Sequence, residues 1–409
     1  MQQEAIEKRK IRGLEIAQNS RITKTEQGWK VPSQSGQGYY TVVLDGHGGK
    51  CNCPDCQTRQ AKCKHIFAVE FIITHEVDNM GNVTITKTVR QTYSQDWSNY
   101  DKASIVQKSL FMKLLKDVAN TIDQPEYSFG RPSLPISDMV YSSVMKVFTT
   151  FSLRRFMSDM QTAREKGYIE SNPCYASVGH FMQDKEITPI LANIVTMTSL
   201  PLRSIEKDFA IDSTGFGSSR FSRWFSFKHG RELKYREWVK CHFMTGVKSN
   251  IVTSVKITTA FNADSPQLAG LVDKTAENFD MEEVSADKAY SGRDNMDTIA
   301  ENGAMPYIPF KKHAVAKPRG SIIWKKMYHY FMLNNDDFMA HYHKRSNVES
   351  TVFMIKSKFG DFVRSKDWTA QVNETLCKVI AHNIVVVIHE MRNLGISPDF
   401  CTNSQNAAQ

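Results

Sequence analysis

The chain has 409 residues, 41% of them hydrophobic and 23% charged, with 52 Lys or Arg against 43 Asp or Glu and a formal net charge of +9. That length predicts two or three domains with a sizeable core, and the basic balance suits a polyanionic partner. The composition also excludes two classes. The eight cysteines split between a tight N-terminal group and scattered positions, which argues against a secreted disulfide scaffold. The charged stretch Met1–Ile11 lacks the apolar run of a signal peptide, and the most apolar segment, Val379–Ile388, is interrupted by His382 and Asn383, so a cytoplasmic location is expected.

The first candidate site follows a strand expected over Tyr39–Leu44. Cys51-Asn52-Cys53 and Cys63-Lys64-His65 form a C-x-C-x9-C-x-H pattern, three thiols and an imidazole that suit tetrahedral Zn²⁺. Cys56 is spaced C-x2-C from Cys53 and so offers a substitute ligand, but its place in the intervening 54–60 loop reads rather as a spare thiol. A helix is expected to begin at His65. The pattern resembles a SWIM-type zinc finger, and the module is placed at residues 1–85. Such a finger would contact DNA or dock another protein, and its residues do not separate the two.

Residues 96–204 read as helical. Phe111, Leu114, Leu115, Val118 and Ile122 form one stripe at helical spacing, and Val140, Val144, Val147, Phe148 and Phe151 form another. Gly130-Arg131-Pro132 separates them, and Thr188-Pro189 marks a further helix start. With Arg154, Arg155 and Arg164 between, the region either binds DNA ends or serves as a structural bundle.

Beyond residue 205 the pattern changes. A short strand runs through Phe209 to Asp212 and into small turn formers; Trp238–Thr245 and Ile251–Thr258 form a hairpin; Gln267–Phe279 is helical. A second strand leads to Asp287, a helix follows over Asp294–Glu301, and Pro306–Phe310 is a third strand. The stretch from Lys311 to Lys366 is rich in Lys and Arg, with Trp324, Tyr328, Tyr330 and Phe331 interleaved as candidate stacking surfaces or as a buried cluster. Within it Tyr342, Arg345, Glu349 and Lys356 form a Y-x2-R-x3-E-x6-K string. On one continuous helix those four side chains fall within an arc of about 60°. Val348, Val352, Ile355 and Phe359 supply the apolar stripe beside it, ending at Gly360. The polar tail Thr402–Gln409 is expected to fray.

From Phe209 to Met391 this order resembles the catalytic core of DDE transposases, and more narrowly the insertion-sequence transposases with a Y-R-E-K signature. The resemblance implies an α/β fold, an RNase H-like mixed sheet flanked by helices, over residues 205–395, preceded by the helical region and the zinc module. It implies Asp212, Asp287 and Glu349 as the catalytic triad holding two Mg²⁺ ions, with Mn²⁺ as a substitute, and Tyr342, Arg345 and Lys356 near the DNA backbone. The activity implied is metal-dependent DNA cleavage and strand transfer on double-stranded transposon ends and target, by a homodimer or larger assembly in a prokaryotic nucleoid. The rival readings are a nuclease on the same core that never joins ends, and a DNA-binding protein with an idle core.

Overall fold

The computed structural model describes residues 2–20, 22–25, 28–34, 38–44, 49–70, 96–126, 129, 133–218, 228, 230, 238–317, 319–398 and 400. Gly130-Arg131-Pro132 and the tail Thr402–Gln409 lie outside the described residues. The chain divides into two compact units, Met1–Thr88 and Val89–Gln409.

The first unit opens with α1 (Gln2–Asn19), followed by the strands β1 (Thr23–Thr25), β2 (Gly28–Pro32), β3 (Tyr39–Val43) and β4 (Lys50–Cys51). They form an antiparallel sheet in the order β1-β2-β3-β4. Two helices close it, α2 (Pro54–Arg59) and α3 over 64–70. Trp29, Val31 and Val42 from the sheet bury against Ile16 of α1 and Ile66 and Val69 of α3, with Cys51, Cys53 and Cys63 in the same cluster. So small a core holds few apolar groups, and a bound metal would supplement it. Gly13 lets α1 approach α3, since a Cβ there would stand 2.7 Å from both Lys64 O and Phe67 Cβ.

The second unit begins with five helices: α4 (Trp97–Ala119), α5 (Ile136–Thr149), α6 (Leu153–Glu165), α7 (Tyr175–Phe181) and α8 (Ile187–Ser199). Both expected stripes are buried except at their ends. Phe151 is half exposed because α5 stops at Thr149, where Thr150 takes a left-handed φ of 56°. Next come β5 (Asp208–Gly217), β6 (Trp238–Gly246) and β7 (Val252–Thr259), then α9 (Leu268–Ala276), β8 (Glu283–Ala286), α10 (Arg293–Glu301) and β9 (Met305–Tyr307). The sheet order is β7-β6-β5-β8-β9. Its first three strands pair antiparallel, while β8 joins β5 and β9 joins β8 in parallel. Parallel neighbours need a crossover, which α9 and α10 provide. This mixed sheet flanked by helices is the fold class expected.

Four helices complete the unit: α11 (Ile322–Leu333), α12 (Asn335–Tyr342), α13 (Ser346–Phe359) and α14 (Trp368–Asn393). α14 is the hub, buried over most of its length from Asn373 to Ile388. Asn383 locks it in place: its Oδ1 accepts from Val252 N (3.0 Å), and its Nδ2 donates to Val252 O (2.8 Å) and Thr198 Oγ1 (3.1 Å). Helices α4 to α8 share one hydrophobic core with α13, α14 and the sheet.

Two local expectations are corrected. β5 does not end near Asp212 but continues to Gly217, because β6 pairs with it residue for residue out to Trp238. The Y-x2-R-x3-E-x6-K string does not occupy one continuous helix. Tyr342 ends α12, His343–Arg345 form a 3-10 turn, and only Glu349 and Lys356 lie in α13. The tighter turn rotates Tyr342 and Arg345 away from the ideal helical arc. Gly360 does stop α13, with φ 83°.

Candidate active site

The central strand organises the site. β5 pairs with β8 so that Ile211 stands opposite Ala286, and the residue that follows each of them in the chain is an aspartate. Asp212 and Asp287 are therefore level on neighbouring strands, whose axes lie about 4.8 Å apart. Asp212 accepts from Ser213 N at 2.8 Å, and Asp287, just past the end of β8, accepts from Lys288 N at 2.7 Å. Burial pushes the Asp212 carboxyl up, Arg345 pulls it back down, and the nearby Asp287 adds to the upward push.

Glu349 is brought in by α13. Arg345 forks between strand and helix, donating from Nη1 to Asp212 Oδ2 (2.7 Å) and from Nη2 to Glu349 Oε1 (2.9 Å). Tyr342 sits beside this group; burial raises its hydroxyl pKa while Arg345 lowers it, and both Asp287 and Asp212 act on it. Lys356 turns toward β5, where its Nζ donates to Thr214 Oγ1 (2.7 Å) and lies 5.5 Å from the Phe216 ring centroid. Arg345 and Lys356 thus have internal partners on the strand of Asp212, in addition to the place near the DNA backbone that the resemblance implies. Trp324 and Tyr328 are buried, and Phe310 packs on both, so the interleaved aromatics form a cluster under the basic stretch.

A bracket that the sequence reading missed holds these parts together. Asp208 and Glu283 are register partners at the start of β5 and β8. Lys344 reaches both carboxylates, Asp208 at 2.6 Å and Glu283 at 2.7 Å. His341 Nδ1 meets Glu283 at 2.7 Å, and its ring stacks on Tyr307 at 4.5 Å. One 3-10 turn therefore clamps both aspartate-bearing strands. A signal was present, since an acid stands four residues before each aspartate, at Asp208 and at Glu283.

A second polar group lies at the next residue of β5. Asp264 meets Lys240 at 2.8 Å and His242 Nδ1 at 3.3 Å, while His242 Nε2 contacts Thr258 Oγ1 at 2.9 Å. Burial raises the Asp264 pKa, but Lys240 and Ser213 outweigh it and leave it lowered; burial pushes His242 down. Ser213 thus links this group to the Asp212 backbone.

In the first unit, the ligand atoms of Cys51, Cys53, Cys63 and His65 lie within 4.8 Å of one another, and all four residues are buried. His65 Nδ1 is 3.9 Å from Cys51 Sγ and 3.8 Å from Cys63 Sγ. Tetrahedral Zn²⁺ with Zn–S near 2.3 Å and Zn–N near 2.0 Å implies ligand separations of roughly 3.5–3.8 Å, so the donor set fits. Hydrogen bonding from Cys51 draws the Cys63 thiol down to about 3, against the opposing effect of burial. Cys56 is only partly buried and falls outside this group.

Residues 203–384 match the family model of the transposase DDE domain. That segment contains the whole five-stranded sheet, α13 and the larger part of α14. Among solved structures, the chain is similar to a piggyBac transposase from a cryo-EM synaptic complex with hairpin DNA, at 10% identity and a TM-score of 0.35. The match covers 73% of this chain and 76% of that one. Among the described residues no helix is long and apolar enough to cross a membrane.

Proposed function

We propose that this protein is a transposase that binds the ends of its element, cuts the DNA and joins the freed 3′-hydroxyl to a target. One observation carries the reading: Asp212 and Asp287 each directly follow the last register pair of two adjacent parallel strands, Ile211 and Ala286, Glu349 is tied to Asp212 through Arg345, and all lie inside the segment matching the transposase DDE domain. Three carboxylates offer an all-oxygen donor set that suits hard divalent cations, Mg²⁺ or Mn²⁺. Asp212, between the other two, would serve both ions, with Asp287 and Glu349 completing one site each. Such ions, when bound, polarise the attacked phosphate and lower the pKa of the attacking hydroxyl.

The side chains supply positioning, which dominates phosphoryl transfer. Lys344 fixes the 3-10 turn against both strands, so Arg345 and Glu349 arrive at a set distance from Asp212. Arg345 neutralises the carboxylates in the free protein and is placed to turn its fork toward a scissile phosphate. Lys356 places a further positive charge one turn pair along α13 for the neighbouring phosphate, and Tyr342 offers its hydroxyl to the backbone. Zn²⁺ at Cys51, Cys53, Cys63 and His65 would stabilise the N-terminal unit, which serves in DNA or partner recognition. Double-stranded DNA is the partner, and pairing of two ends calls for a dimer or larger assembly.

The test is a strand-transfer assay on DNA carrying the ends that flank this gene, with Mg²⁺. Joined products formed by wild type and lost in Asp212→Asn support the proposal. Cleaved but never joined DNA would indicate a nuclease, and binding without cleavage would indicate an idle core.

A further inference from the structure

The second unit contains a cavity of about 310 Å³ away from the carboxylates, bounded by α5, α6, α7 and the loop leading into α14. Its walls are apolar, with Leu153, Val178, Met182 and Ala370 lining it. Lys146 also lines it, with a side chain only 10% exposed. The Lys146 Nζ has Glu374 at 3.8 Å, too far for a hydrogen bond. Glu374 is already engaged, accepting from Arg364 N at 3.0 Å, Ser365 N at 2.9 Å and Ser365 Oγ at 2.7 Å. Glu374 therefore pairs with Lys146 by charge, and the ammonium keeps hydrogen-bonding capacity to spare. At the rim stand Arg364 and Lys366, both exposed and with no ion pair among the described residues.

An apolar slot with a buried ammonium that is ion-paired but not hydrogen-bonded to Glu374, and with two exposed cations at its mouth, suits an occupant that is flat and apolar, rich in acceptors and attached to a negative charge. We propose that the cavity takes one unpaired nucleotide of the bound DNA strand. The base lies between Leu153, Val178 and Met182, Lys146 donates to its acceptor edge, and Arg364 and Lys366 meet its phosphate. The volume is in the range of small-ligand sites. A lysine donor suits the carbonyl edges of guanine (O6 with N7) and thymine (O4) better than the edges of adenine and cytosine that carry an amino donor. The inference rests on the transposase reading for the source of the strand.

The cavity is also connected to the strand of Asp212. Gly217, at the far end of β5, donates from N to Asp361 O (3.0 Å) and accepts from Val363 N (2.9 Å), which places Arg364 directly beyond it. Five strand residues at about 3.3 Å each put the rim roughly 20 Å from Asp212, some six steps of a DNA strand. A nucleotide extruded there would fix the register of the strand on the enzyme, at a cost of a few kcal/mol for unstacking.

The experiment is methyl NMR of the full chain labelled at Met, with the Met182 signal identified by Met182→Leu, during titration with each of the four deoxynucleoside monophosphates. The expected result is a saturable Met182 shift, stronger for dGMP and dTMP than for dAMP and dCMP. Gly179→Leu should abolish it, since a Cβ there meets only Leu153 Cδ1 at 3.7 Å and the added side chain can occupy the slot. Lys146→Met should weaken binding about tenfold and erase the base preference. No shift at millimolar nucleotide, an equal shift with inorganic phosphate, or a shift that survives Gly179→Leu in a folded protein would overturn the proposal. Neither end sequence nor divalent metal enters this titration, so its failure is separable from failure of the strand-transfer assay.

Discussion

Replacing Lys344 by Met keeps the aliphatic stem and removes the charge that binds Asp208 and Glu283. These side chains are 13%, 24% and 17% exposed, so the bracket is largely shielded from water. Without the ammonium, two carboxylates face each other on adjacent strands at about 5 Å. At an effective dielectric near 20 that repulsion is about 3 kcal/mol, and partial solvation brings the expected loss to about 2 kcal/mol. Urea unfolding at pH 7 should show it as a lower midpoint with an unchanged slope. Because the same turn carries Arg345, Lys344→Met should also slow DNA cleavage by about tenfold or more, with DNA affinity little altered. Burial pushes the Lys344 pKa down, but Asp208 and Glu283 more than compensate and leave it raised. A raised lysine contributes its full stability below its unfolded pKa of about 10.4 and loses it as pH rises through the folded value. Wild type and mutant should therefore differ across neutral pH and converge in strong alkali. A midpoint unchanged within about 0.5 kcal/mol, with normal cleavage, would refute the bracket.

Cys63→Ser should abolish stoichiometric Zn²⁺ by atomic emission and leave the first unit unfolded to limited proteolysis, while Cys56→Ser keeps the metal; zinc retained in Cys63→Ser would refute the ligand set. His382 is buried in α14 with Nε2 at 2.9 Å from Asn250 O, and burial pulls its pKa down to about 4. The unfolded chain therefore takes up this proton first, and stability present above about pH 6.5 is lost as pH falls toward 4, by on the order of 3 kcal/mol. Urea midpoints between pH 7 and 4 should fall less steeply in His382→Gln; parallel slopes would contradict the assignment.

Much of the core was legible because its elements announce themselves locally. Trp238–Thr245 and Ile251–Thr258 are β-rich runs about a short polar connection, and they form β6 and β7. Val348, Ile355 and Phe359 repeat at helical spacing, and they are the buried stripe of α13. Arg345 and Glu349 are four apart, and they do meet. What stayed hidden depends on tertiary register. The 3-10 turn at His343–Arg345 carries no breaker residue, so helical periodicity ran straight through it. The bracket requires Asp208 to lie beside Glu283, a parallel pairing across 75 residues that no local pattern encodes. The Asp264, His242 and Lys240 group likewise depends on β6 meeting the segment before α9.

The most direct measurement is single-turnover cleavage of end DNA with Mg²⁺, comparing wild type with Asp212→Asn, Asp287→Asn, Glu349→Gln and the triple variant. If the three carboxylates act as one unit, each single change lowers the rate by at least about 10³-fold, the triple change adds little, and DNA binding stays within a few-fold of wild type. A single variant that keeps its rate within tenfold of wild type would remove that residue from the site and contradict the account.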